Sequence, residues 1–217
     1  MSVIKGLKDI NALLDKPKYE NTSKVRWLKL ADGQSIKIRF IEELDDESPH
    51  YDDSRGLALV VKEHTNPKDY RRKAVDTMET EGRDWAEEMH RKDPKAGWRA
   101  RLRFYCNVLV DDGIEDPYVA IWSIGVGKQS PFNTVREYAL ETGSISNMTW
   151  KLKRNGMGTE TSYTLIPGGP DAEPFDWGSY EPFPLESALS KVPYAEQEAF
   201  YLGFDSPTSS VTSNIDW

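Results

Sequence analysis

The chain has a single cysteine, Cys106, in 217 residues. A lone thiol cannot form an internal disulfide, and a zinc site built from paired thiolates is excluded by chemistry. No run of 18 apolar residues occurs, so no segment reads as a membrane span. The opening MSVIKGLKDINALLDK is too charged, and too poor in apolar side chains, to read as a secretory signal. There is no P-loop, no G-x-S-x-G and no His/Cys dyad. The acids Glu42, Glu43, Asp45, Asp46, Glu47, Asp52 and Asp53 are potential Mg²⁺ ligands. They crowd one loop, whereas nuclease carboxylates are dispersed over strand ends, so the chain reads as a non-enzyme. Positive charge is missing from one end. Residues 155–217 hold one basic residue, Lys191, against ten acidic ones, a net of −9. Residues 1–154 hold 27 basic and 26 acidic residues, a net of +1.

A near-neutral body joined to an acidic end suits a nucleic-acid binder with a protein-docking or self-masking tail. Such a tail also serves solubility alone. The length fits one domain of about 150 residues plus an extension, and 24 Trp, Tyr and Phe residues give bulk for a core. The most informative segment is WRARLRFYCNVLV at 98–110. Strand alternation puts Arg99, Arg101, Arg103 and Tyr105 on one face and Ala100, Leu102, Phe104, Cys106 and Val108 on the other. Three guanidinium groups in a row, ending in an aromatic ring, make a rail for a polyanion. Cys106 falls on the apolar face and reads as a small buried hydrophobe.

Elsewhere the pattern predicts an amphipathic helix at 4–16, a polar linker at 16–24, and strands at 25–30 and 35–41 joined as a hairpin through Asp32-Gly33. A third strand is expected at 57–63. Residues 64–97 read as a charged insertion without strand, helical from about Glu79 to Arg91. A strand at 118–124 follows, then a helix from Ser130-Pro131 to Gly143 and a hairpin at 148–167. Composition turns Pro-, Gly- and acid-rich near 168, with a short helix around 184–202 and a disordered Ser/Thr-rich end. The domains are therefore 1–24, 25–167 and an acidic tail at 168–217. The fold class is mainly β (α+β), an OB-like small β-barrel with one helix.

The segments WLKLADGQSIKIRFI, WRARLRFYCNVLVDDG, PYVAIWSIGVGKQSPFNTVREYALETGSI and MTWKLKRNGMGTETSYTLIP, in this order, resemble the single-stranded DNA-binding proteins of tailed bacteriophages. The resemblance spans most of 25–167. It implies an OB fold that coats and protects single-stranded DNA during phage replication, recombination and repair, in the cytoplasm of an infected bacterium. Members of that group often carry a zinc-binding insertion of Cys and His residues. The insertion at 64–97 has no cysteine, although Asp84 and Glu87 keep the two-residue gap of a Cys pair, with His64 and Asp76 upstream. These four could hold only a harder metal. The favoured reading is a salt-bridged helix without metal, with His90 on its surface. The terminal Asp216-Trp217 resembles the acidic, aromatic tips that dock replication and recombination proteins.

Binding without sequence preference needs cations along the phosphates and rings on the bases. The cation candidates are Lys37, Arg39, Arg99, Arg101, Arg103, Lys128, Lys151, Lys153 and Arg154; the ring candidates are Tyr105, Trp27 and Trp122. Alternation in WKLKR places Trp150 in the core and Lys151 and Lys153 outside. The alternative is an acidic adaptor or inhibitor that binds a replication or host enzyme and not DNA. The sequence leaves oligomeric state, site size and the identity of the tail's partner open.

Overall fold

The computed structural model describes residues 25–171, 175–177 and 180–204. The helix expected at 4–16, the linker, Asp216 and Trp217 lie outside these residues. The alternation read at 35–41 and 98–110 becomes β1 (Ser35–Phe40) and β4 (Arg101–Asp111). Five more strands follow the chain as β2 (Leu59–Asn66), β3 (Asp69–Val75), β5 (Tyr118–Gly125), β6 (Met148–Asn155) and β7 (Ser162–Pro170). The helices are α1 (Met78–Glu81), α2 (Trp85–Lys92), α3 (Phe132–Thr142) and α4 (Tyr194–Leu202), with a 3-10 turn at Leu185–Ala188.

All seven strands belong to one antiparallel sheet, ordered β3-β2-β4-β1-β6-β7, with β5 on the remaining edge of β4. β4 is the hub. Its first half pairs with β2 and its second half with β1 along one edge, while β5 runs along nearly all of the other. No ladder joins β5 to β7 among the described residues, so the sheet is open, and the chain is mainly β with few helices.

The inner faces of the strands make the main core. Ile36, Ile38 and Phe40 meet Phe104, Cys106, Val108, Ala120, Trp122, Trp150 and Leu152, closed by Val135 of α3. Each large side chain buried here contributes about 1.5–3 kcal/mol relative to exposure. Helix α3 follows its sequence signals. Ser130 Oγ accepts from Phe132 N at 3.1 Å, and Gly143 ends the helix at φ 79°, a left-handed conformation that suits glycine.

Three expectations are corrected. Residues 25–30 form no hairpin with β1, because β4 and β6 already occupy both edges of that strand. The segment runs parallel to β5 instead, with Leu28 N donating to Ile121 O at 2.9 Å and Ile121 N to Arg26 O at 2.8 Å. The insertion does contain strand: β2 continues to Asn66 and pairs with β3. Asn66 Oδ1 builds the turn between them by accepting from Lys68 N at 2.8 Å. The run Arg71-Arg72-Lys73 disguised this strand, since charge was read as solvated helix or loop. The expected insertion helix is broken into α1 and α2 at Gly82, φ 72°.

Cys106 lies against the buried carboxylate of Glu42, its Sγ 3.1 Å from Oε2. Burial raises the Glu42 carboxyl above its usual range and raises the Cys106 thiol further, aided by the neighbouring carboxylate. A thiol held protonated in the core does not react. Cys106 should therefore resist a thiol-specific disulfide reagent in the native protein and react fully in denaturant. Fast native labelling would contradict this packing.

Candidate nucleic-acid interface

The outer face of the sheet carries what the core rejects. β4 contributes Arg101, Arg103, Tyr105 and Asn107, β1 contributes Lys37 and Arg39, and β6 contributes Lys151 and Lys153. The register places Lys37 beside Lys151, and Glu63 of β2 beside Arg101. Lys37, Arg99, Arg101, Lys128, Lys151 and Lys153 are exposed. None of these six forms an ion pair among the described residues.

The middle of this face is covered by described parts of the chain's own acidic segment between β7 and α4, at 171, 175–177 and 180–189, which together form a strap. Asp171 pairs with Arg39, and Phe175 lies under the Arg39 guanidinium at 4.3 Å. Trp177 sits 5.2 Å from the Arg55 guanidinium. Asn107 Nδ2 donates to Phe183 O at 2.9 Å, and Phe183 N donates back to Asn107 Oδ1 at 3.1 Å. Leu185 and Leu189 then pack on Tyr105 and Ile121 as a second core. The strap divides the outer face into two cationic ends, Arg99 and Arg101 on one side and Lys37, Lys151 and Lys153 on the other.

Several sequence candidates change role. Tyr105 is not a wet-face ring: it is 1% exposed, its hydroxyl donates to Glu63, and burial together with that carboxylate holds the phenol well above its usual range. The cause is a cover drawn from residues some eighty positions later, which strand alternation cannot reveal. Trp122 is 2% exposed and belongs to the main core, between Phe40 at 5.9 Å and Tyr163 at 6.5 Å. Arg39 is buried, with Thr149 Oγ1 at 3.0 Å as a further partner. Arg103 is half-buried and donates to Ser123 Oγ at 2.7 Å. Arg154 ties the turn by donating to Leu30 O at 2.6 Å and Thr161 Oγ1 at 3.2 Å. Trp27 stays half-buried, edge-on to Tyr105 at 6.1 Å. Trp150 is buried in the core, as alternation requires.

The sequence reading missed Lys73. From β3 its Nζ donates to Tyr105 Oη at 2.9 Å and lies 5.8 Å from the Trp27 ring. Burial pushes its ammonium down to about 8, with Glu63 opposing and Arg103 adding to the shift. The signal was the parity of Lys73 and Val75, hidden because the segment was not read as strand.

The insertion's polar cluster tests the metal that the resemblance implies. His64, Asp76 and Asp84 converge, all buried, while the Glu87 carboxylate turns to Arg91 at 3.2 Å. Every oxygen of the two aspartates already accepts from the protein. Asp76 Oδ2 takes Lys62 Nζ at 2.8 Å and lies 3.0 Å from His64 Nε2, and Oδ1 takes Met78 N at 2.9 Å. Asp84 Oδ1 takes Glu87 N at 2.9 Å, and Oδ2 takes Thr77 N at 3.1 Å and Gln197 Nε2 at 3.0 Å. The Lys62 ammonium supplies the positive charge, and Gln197 of α4 supplies a further donor. Trp85, Trp98 and Tyr201 seal the cluster with rings 5.2–5.8 Å apart. The cluster holds no thiolate, and the Lys62 ammonium already balances Asp76, while His64, Asp76 and Asp84 bring ligand atoms within 4.8 Å of one another. His90, expected on the surface, is half-buried.

Zinc or a chelator should accordingly leave the melting temperature of the chain unchanged. Gln197→Ala should lower stability by about 1–3 kcal/mol, because it removes the acceptor of Trp85 N, which donates to Gln197 Oε1 at 2.7 Å. Parallel thermal melts measure both. Comparison of the chain with family models, curated proteins and solved structures returns no match, so the function is argued from the residues themselves.

Proposed function

We propose that this chain is a non-sequence-specific single-stranded DNA-binding protein whose acidic C-terminal strap masks part of the binding face. One observation carries the reading. A sheet face bearing exposed cations at both ends has, at its centre, two aromatic rings beneath an acid-bearing segment of the same chain. Cations spaced along a face suit a phosphate backbone, and rings between them suit unpaired bases at about 1–3 kcal/mol per base. Asp171 on Arg39 offers in cis the contact that a phosphate would make in trans.

The topology supports an OB-like reading. β1 pairs with β4 and β6, α3 lies between β5 and β6, and the outermost β5 and β7 approach through Trp122 and Tyr163. Coating of single strands in phage replication, recombination and repair, in the cytoplasm of an infected bacterium, is the setting the sequence resemblance implies. Docking of replication proteins falls to Asp216 and Trp217. No catalytic step is assigned.

Fluorescence anisotropy with labelled oligo-dT and the matching duplex, at low and high salt, tests the reading. Tighter binding of the single strand, weakening steeply with salt, is expected; no binding to either would overturn it. Lys151→Glu with Lys153→Glu should weaken binding at least tenfold. The same pair should flatten the salt slope by about 1.4, at roughly 0.7 per lost phosphate contact. Leu189→Ala, which loosens the strap, should tighten binding of oligo-dT. Unchanged binding in that variant would mean that the covered face takes no part.

A further inference from the structure

We infer that Lys73 is a nucleophile that captures an aldehyde-bearing nucleotide, the ring-opened sugar of an abasic site, within a bound single strand. The inference rests on the single-strand reading above. Three features of one corner carry it.

The first is placement. Lys73 stands on the outer face of β3, in the same corner as Tyr105 and near Arg103, which lies two residues along β4 from the exposed Arg101. Its side chain keeps 14% of its surface exposed, and a strand that displaces Leu185 and Leu189 from Tyr105 would uncover the amine. The second is the aromatic setting. Nζ lies 5.2 Å from the Tyr105 ring centroid and 5.8 Å from that of Trp27, which is half-buried. An abasic nucleotide leaves a gap in the stack of bases. An aromatic side chain fills such a gap as a base would, and this brings the sugar C1′ to whatever stands beside the ring. Here that is an amine.

The third is reactivity. Only a neutral amine attacks a carbonyl, and lysines become nucleophiles when they are desolvated or set beside another cation. Lys73 meets both conditions, with burial and Arg103 holding its ammonium down to about 8. At pH 8 about half of such amines are neutral, against roughly 0.4% of ordinary surface lysines. Tyr105 Oη at 2.9 Å and Glu63 Oε2 at 3.9 Å are positioning residues that fix the direction of Nζ.

The step is balanced without a cofactor. The Nζ lone pair adds to the C1′ aldehyde carbon, and the carbonyl electron pair moves to oxygen, which takes a proton. The resulting carbinolamine loses that oxygen as water, and the nitrogen gives up its remaining protons to leave an imine between protein and strand. Capture should accelerate as pH rises through about 8, as the ammonium is converted to the amine.

The test uses the full chain, an oligo-dT with one abasic site, and borohydride to fix the imine. The expected result is a covalent adduct that peptide mass mapping places on Lys73. Lys73→Arg should lower its yield at least tenfold while still binding the intact oligonucleotide. Mapping the native adduct needs no variant, so misfolding of Lys73→Arg would not spoil the test. Adducts confined to exposed lysines such as Lys151 and Lys153, or a yield unchanged in Lys73→Arg, would overturn the inference. Binding of the intact strand is measured alongside. Binding without a Lys73 adduct overturns this inference alone, whereas absence of binding overturns the single-strand reading with it.

Discussion

A buried side-chain amide must satisfy donors and acceptor together, and Asn107 at the middle of β4 is fully buried. From the interior, the Glu42 carboxylate accepts both its backbone N at 2.7 Å and its Nδ2 at 2.5 Å. From outside, the backbone of Phe183 exchanges two hydrogen bonds with it. Loss of either partner leaves a polar group orphaned, at about 1–3 kcal/mol. Leu185 and Leu189 add apolar burial along the same strip. This amide therefore sets where the strap lies, and with it which cations stay exposed.

Much of the architecture was legible because it rests on local pattern. Alternation located β4, β5 and the β6–β7 hairpin, and Ser130-Pro131 with Gly143 bounded α3. What escaped reading depends on distant neighbours. Lys37 and Arg39 look alike in SIKIRFI, yet the strap covers only Arg39, through Asp171. Tyr105 has the parity of an exposed ring and the burial of a core residue. β3 was hidden by composition, since two of its charges are spent on packing and pairing and not on solvation: Arg72 donates to Phe200 O, and Lys73 reaches Tyr105.

The insertion shows the same economy. Two aspartates, one histidine, Lys62 and an amide from α4 meet in one buried polar cluster. The cluster couples regions that are distant in sequence. Asn66 Nδ2 donates to Tyr201 O at 2.7 Å, and Val75 N to Ser190 O at 2.9 Å. The strap is thus held at one end by the Arg39–Asp171 pair near β7 and at the other by the insertion. Its middle crosses the face where the cations and rings meet.

That arrangement has a consequence for how the chain is made. The cover over Trp85 and Trp98 comes from Tyr201, and Trp85 N bonds to Gln197, 112 residues further on. At synthesis rates of about 5–20 residues per second, the insertion waits on the order of 5–20 s for its lid. During that interval its tryptophans and buried carboxylates face solvent, and the sheet is complete before the insertion is. Ribosome-bound intermediates would therefore present a finished sheet beside an unsealed aromatic cluster, the surface on which a nascent-chain chaperone would act.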